Sequence, residues 1–405
     1  MNTRNGCRPR VSLLRCAAAT GEAGIIDRTE EAVALVGGLA ERFRGKRKIA
    51  LKPNIGIDRV RVTQGRQTEL TEPAVVEGVI RALRQVTDAE IIIGDAPTDD
   101  SAVSLYEKLG YPAMAARYPN VRMVDFGAGP FVEVDVPGEP TQFRRYWLHQ
   151  ELAEADACVS VAKMKAHRSL GCTLCMKNLF GLTPWRVYGQ PRVYLHDRLI
   201  RLPRVQVDLA AYFQPALCVV DGIMTANHGE WEGTPIETGV ILAGDNVVST
   251  DAVGMTVMGF NPLGDYPDHP HWYRRNSIRI AHDAGLGTAD LAEIDLLGVE
   301  PETVVQRFEV QPYGEGNAAR SAELQAGTRC VEQYQALRER YVERYCGRYL
   351  TFRSGELLWD APDMATTQRF EKERTTDWQD APHFTIHVVP ERNEIERLEA
   401  YALGG

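Results

Sequence analysis

The chain has no long apolar run: no window of its 405 residues approaches the roughly 20 consecutive apolar residues that a helix needs to span a bilayer. This excludes a helical membrane protein, and no membrane partner is expected. The opening stretch, MNTRNGCRPRVSLLRCAAATGEAG, also holds too short an apolar segment for the h-region of a signal peptide. Neither G-x-G-x-x-G nor G-x-x-x-x-G-K-[ST] occurs, which argues against nucleotide binding through a standard phosphate loop, and there is no H-E-x-x-H helix. Positive charge is in short supply, with 46 basic against 55 acidic residues and a formal charge of −9. No basic stripe with interleaved aromatics is present, so nucleic acid is not an expected partner. Eight cysteines at irregular spacing do not form a disulfide framework, and they read as reduced thiols of a cytoplasmic protein. The remaining expectation is a protein that handles small molecules, with 44% hydrophobic residues to build a sizeable core.

Hydrophobic periodicity alternates between strand and helix. Lys48 to Lys52, Ala89 to Gly94 and Val121 to Phe126 read as strands, separated by helices over Pro73 to Arg84, with Thr71 as its N-cap, and over Ser101 to Leu109. Phe131 to Val136 and Phe143 to Leu148 read as a hairpin. Strands at Asp156 to Ala162, Ala216 to Asp221 and Gly239 to Ala243 follow, and a helix from Ser249 to Met258 closes the pattern. Such alternation predicts an α/β fold, a mostly parallel sheet with helices on both faces. After residue 300 the texture changes. Ala318 to Tyr349 is rich in Glu, Arg, Ala and Leu, and His383 to Val389 reads as one strand. The expected division is an α/β catalytic domain over 1–300 and a mainly helical extension over 301–405, acting as a cap over the pocket or as an arm of a homo-oligomer.

Chemically able side chains concentrate between Ala162 and Gly181, which reads AKMKAHRSLGCTLCMKNLFG. The preceding apolar strand delivers this stretch at its carboxyl end, where open α/β sheets bind ligands. Lys165, His167 and Lys177 suit proton transfer or carbonyl binding there, with Thr173 and Asn178 as substrate-orienting groups. The loop Asn227 to Pro235 follows another strand and offers His228 and Glu230 to the same crevice, while Asn54 and Asp95 close the first two strands on that side. Cys172 and Cys175 form the single Cys-x-x-Cys pair. With His167 nearby they are candidate ligands for a metal or an iron–sulfur cluster, or a redox dithiol, although packing suits them better and no cofactor is favoured.

Lys165-Ala-His167, Thr173 and Lys177-Asn178-Leu-Phe-Gly181 together resemble the signature of the "domain of unknown function 362" family. Further pieces fall in the same order: Lys52-Pro53-Asn54, Thr71-Glu-Pro73, Gly94-Asp95-Ala-Pro97, His196 as a further substrate-binding candidate, Asp221-Gly222, Gly229, Gly233-Thr-Pro235 and Asp251-Ala252. The resemblance spans roughly residues 45 to 300. Many members carry a fused ferredoxin-like module with Cys-x2-Cys-x2-Cys repeats, absent here. A more distant similarity is to nickel-pincer lactate racemases, whose catalytic histidine also stands ten residues before a cofactor-anchoring lysine, as His167 does before Lys177. This chain lacks their Gly-Gly before that lysine and their second histidine at the upstream strand end, so the similarity implies a shared scaffold and pocket rather than the nickel cofactor.

Three readings stay open. One is an enzyme of isomerase, epimerase or lyase type using acid/base chemistry on a carbonyl or carboxylate substrate; the second is an oxidoreductase using the Cys-x-x-Cys pair or a bound metal centre. The third is a non-catalytic ligand-binding or assembly protein. A pocket that joins His167, Lys177 and the 227–235 loop discriminates for catalysis.

Overall fold

The computed structural model describes residues 8–56, 59–97, 102–168, 170–188, 192, 195, 201–265, 268–271, 275–310, 337–353, 356–374 and 383–388. His196 lies outside them. The strands are β1 (Arg10–Arg15), β2 (Lys48–Pro53), the short pair β3 (Val62–Thr63) and β4 (Arg66–Gln67), β5 (Glu90–Asp95) and β6 (Val121–Asp125). Then come β7 (Phe131–Asp135), β8 (Arg145–His149), β9 (Ala157–His167), β10 (Gly171–Thr173), β11 (Leu217–Asn227), β12 (Thr234–Gly244) and β13 (Asp295–Gly298).

A nine-stranded sheet runs β13-β1-β12-β11-β9-β2-β5-β6, with β10 folded back on the end of β9. Parallel pairs join β11, β9, β2, β5 and β6 in turn, so the sheet is mostly parallel and the fold is α/β as the alternation implied. Two apolar layers sandwich it. On β9, Val159 and Val161 enter one layer, while Cys158, Ala162, Met164 and Ala166 enter the other, the period-two alternation of a strand covered on both faces.

Three expectations change. β11 and β12 are 11-residue strands paired antiparallel, so the chain between them is a hairpin tip rather than a crossover. β1, unanticipated, pairs antiparallel with β12 and parallel with β13. Thr71 does not cap the Pro73–Arg84 helix: its N-cap is Glu72, and the Thr71 hydroxyl instead donates to Val161 O at 3.0 Å and accepts from Asn54 N at 2.9 Å, tying two strand ends together. Beyond residue 310, the described part of the tail adds to its helices an antiparallel sheet in the order β15-β14-β16, made of β14 (Tyr349–Arg353), β15 (Glu356–Ala361) and β16 (His383–His387). No helix among the described residues is long and apolar enough to cross a membrane.

Candidate active site

Alternation along β9 places Lys163, Lys165 and His167 on the face that begins with Val159 and Val161, and all three are buried. Successive buried cations are costly unless each is partnered. Lys163 is fully matched, its Nζ 2.9 Å from Asp221 Oδ2 with both side chains inaccessible, while Asp221 also accepts from Glu72 N at 2.8 Å. That pair is a structural strut. Lys165 finds softer partners: Nζ donates to Glu69 O at 2.8 Å and to Asn54 Oδ1 at 3.3 Å, and stands 3.9 Å from the centre of the Trp231 ring. Burial draws its pKa down to about 7 against the opposing pull of Glu69 and Glu230.

Lys177 arrives from the other side of the sheet on the Cys175–Phe180 helix. The buried Asp251 carboxylate pins the start of that helix, accepting Cys175 N at 2.8 Å and Met176 N at 2.7 Å. Burial pushes Asp251 up to about 7 although both backbone bonds favour its charged form. Lys177 keeps some surface open while its ammonium is crowded by protein, 4.5 Å from the Phe180 ring centre. Desolvation, helped by Arg192, lowers it to about 7.

One residue along, Asn178 works as a clasp. Its Oδ1 accepts from Lys52 Nζ at 3.0 Å and Asn54 Nδ2 at 3.4 Å, and its Nδ2 donates to Lys52 O at 2.9 Å and Ser160 Oγ at 3.1 Å. Lys52, anticipated only as part of the Lys-Pro-Asn run, is 2.8 Å from Asp95 Oδ2 in a buried ion pair, and desolvation lowers its pKa. Gly181 makes room for this pair, because a Cβ there would lie 2.9 Å from Asp95 Oδ1 and 3.0 Å from Lys52 Nζ. Arg192 donates to Gly181 O at 3.1 Å, to Thr183 O and to Ala96 O, and burial lowers it to about 10.

From the β11–β12 hairpin tip comes Glu230. Its Oε1 is 3.8 Å from His167 Nε2, and its Oε2 accepts Arg168 N at 3.1 Å. Burial pushes the Glu230 carboxyl up, but His167, the backbone N–H bonds and Lys177 outweigh it and hold the group below its ordinary range. Glu230 acts electrostatically on His167, Lys165 and Lys177 together, so these four share one neighbourhood. Two non-glycine residues beside it, His228 and Glu232, have φ of +69° and +58°. Strain of that kind persists only where the surroundings over-determine it, and it clusters at functional sites.

The other expected site residues fall differently. His228 turns away: Nδ1 lies 3.0 Å from Thr234 Oγ1 and Nε2 3.6 Å from Glu309 Oε2, at a half-exposed position. Asp95 is within the cluster, but its oxygens are spent internally on Lys52, on Ile55 N at 2.7 Å and on Ala96 N at 2.8 Å, which leaves it a positioning group rather than a substrate contact. Thr173 stands opposite Lys165 in the β9–β10 pairing. Cys172 and Cys175 are buried free thiols, both pushed up by desolvation, with Cys175 Sγ donating to Val219 O at 3.5 Å. No group of three or more His, Cys, Asp or Glu suited to a metal ion occurs among the described residues. Glu69, Trp231 and Arg192 escaped the sequence reading. Glu69 is fully buried, its Oε1 2.6 Å from Arg61 Nη1, and nothing local to its Thr-Glu-Leu setting marks it.

The architecture defines an α/β protein with a largely buried cluster of cationic side chains at the carboxyl ends of β2, β5 and β9. Its sequence matches the family described as "Domain of unknown function (DUF362)" over residues 49–256, just over half of the chain, and the protein belongs to that family. A thylakoid-associated protein of Synechocystis sp. is 28% identical over 229 residues, covering 56% of this chain and 68% of the relative. Among solved structures, the lactate racemase apoprotein from Thermoanaerobacterium thermosaccharolyticum aligns with 12% identity and a TM-score of 0.35 over 59% of this chain and 54% of the racemase, so the match spans about half of that protein's length.

Proposed function

We propose that this protein is an enzyme using acid/base chemistry on a small carbonyl or carboxylate substrate, of isomerase, epimerase or lyase type. The observation that carries the reading is the meeting of two lysines drawn to about 7 with a histidine–carboxylate pair in one buried neighbourhood. Lys165 and Lys177, while charged, hold the anionic oxygen. Asn54 steadies the Lys165 ammonium, and Asn178 ties the helix that carries Lys177 to the strand ends. His167 removes a proton from the carbon beside the carbonyl or carboxylate, the electron pair moves onto the oxygen held by the lysines, and the imidazolium returns the proton to that carbon or its neighbour. Glu230, rather than His228, stabilises that imidazolium.

The same reading assigns 1–300 to the catalytic domain and 301–405 to an extension. The first ten residues of the latter stay tied to the α/β unit through Gln306 N to Val257 O at 2.8 Å and His228 N to Glu309 O at 2.9 Å. Free thiols at all six described cysteines fit a cytoplasmic, reducing location. The redox alternative is weaker, since thiol chemistry needs thiolates and burial pushes Cys172 and Cys175 the other way.

The experiment is proton exchange in D2O. A panel of 2-hydroxy and 2-oxo carboxylates is incubated with the protein and followed by proton NMR; loss of the C–H signal adjacent to the carboxylate or carbonyl is expected with wild type and is abolished by His167→Gln. Exchange with none of the panel, or unchanged exchange by His167→Gln, contradicts the acid/base reading.

A further inference from the structure

Two buried polar side chains beside this cluster have no hydrogen-bond partner among the described residues: Thr173 Oγ1, on a residue 4% exposed, and both ring nitrogens of His271, which is 1% exposed. Folded proteins rarely leave such groups unmet, so each orphan asks for an explanation. Register ties both to the site. In the β9–β10 pairing Thr173 stands opposite Lys165 and Gly171 opposite His167. Gly171 has φ of +84°, and a Cβ built on it would lie 2.6 Å from Pro270 Cγ and 3.5 Å from His271 Cε1. Opposed residues of an antiparallel pair have Cα atoms within about 5.5 Å. The His271 imidazole therefore packs against the residue that backs His167, just as Thr173 backs Lys165.

Burial lowers His271 to about 4, with Asp265 opposing and His269 adding to the effect, so near neutral pH its ring is uncharged. A neutral imidazole offers one N–H donor and one bare nitrogen acceptor, and a threonine hydroxyl offers both functions. Neither attracts a carboxylate as an ammonium does. Both suit an uncharged oxygen on the same ligand.

We propose that Thr173 and His271 form a neutral polar wall that receives the hydroxyl or keto oxygen of a small hydroxy- or oxo-carboxylate whose carboxylate is held by Lys165 and Lys177. This deepens, and rests on, the anion-handling reading of the site given above. In this role His271 is a binding residue and takes no proton from carbon.

The test compares binding of glycolate and acetate, which differ by one hydroxyl, by calorimetry at pH 6.5. Wild type is expected to prefer glycolate by about fivefold, the worth of one net hydrogen bond. His271→Leu and the near-isosteric Thr173→Val bring the ratio toward one while leaving the acetate Kd in place, and His271→Gln, which keeps a donor and an acceptor, restores part of the preference. Thr173→Val reads the wall independently should His271→Leu unfold. An unchanged ratio in His271→Leu and Thr173→Val, with Lys177→Met weakening both ligands, overturns the wall and leaves the anion site standing. Absence of carboxylate binding in wild type, or binding indifferent to Lys177→Met, overturns the anion site and the wall with it.

Discussion

At the scale of single residues, the buried lysines of the site carry a stability cost. Lys165 and Lys177 fall from an ordinary 10.5 to about 7 because burial disfavours their charged forms. Between those values the unfolded chain binds more protons than the folded one, so stability rises with pH from about 7 toward 10.5, and below 7 both lysines take stability away. Lys177→Met is accordingly expected to raise the thermal midpoint at pH 6, by about 1–2 kcal/mol of stability, with the gain shrinking toward pH 10 while carboxylate binding is lost. Thermal melts of the variant and wild type at the two pH values check this. Lys165, His167, Lys177 and Asn178 were legible in the sequence because one strand and one short helix bring them in within 14 residues. Glu69 and Trp231 were not. They meet Lys165 only after the chain has folded across long separations, and neither sits in a pattern of its own.

At the scale of elements, the placing of Lys177 and Asn178 depends on how the Cys175–Phe180 helix is seated. Six residues are too few for a helix to persist unaided, and Asp251, reaching in from the Val247–Val257 helix, supplies the acceptors that its first two N–H groups need. Asp251→Ala should cost about 1–2 kcal/mol as a lost cap and also weaken carboxylate binding, because Lys177 and Asn178 ride on that helix. Urea unfolding and acetate titration of the same variant measure the two effects. The alternating pattern correctly announced β2, β5, β6 and β9, which join one another in turn by parallel pairing. It misjudged β12, since local periodicity carries no strand direction, and the Gly-rich turn signals of 229–233 suit a hairpin as readily as a loop leading to a crossover. β1 was hidden for another reason: RVSLLR is short, stands among arginines, and finds its strand partners, β12 and β13, only far along the chain.

At the scale of the whole molecule, the sheet gathers positive charge from distant parts of the sequence into one place even though the chain as a whole is acidic, at −9. Lys52, Lys165, Lys177 and Arg192 are met there by Asp95, Glu69 and Glu230, and the low dielectric of the surroundings makes each of these charges count for more than it would in water. The central claim is that two of these lysines are poised near neutrality to hold and release an anion. The most direct measurement is an NMR pH titration of the protein labelled with 13C at the lysine ε-carbons, with Lys165→Arg and Lys177→Arg assigning the two signals. Midpoints near 7 for both, moving upward when acetate is added, are the predicted result; midpoints near the ordinary 10.5 for both would contradict it.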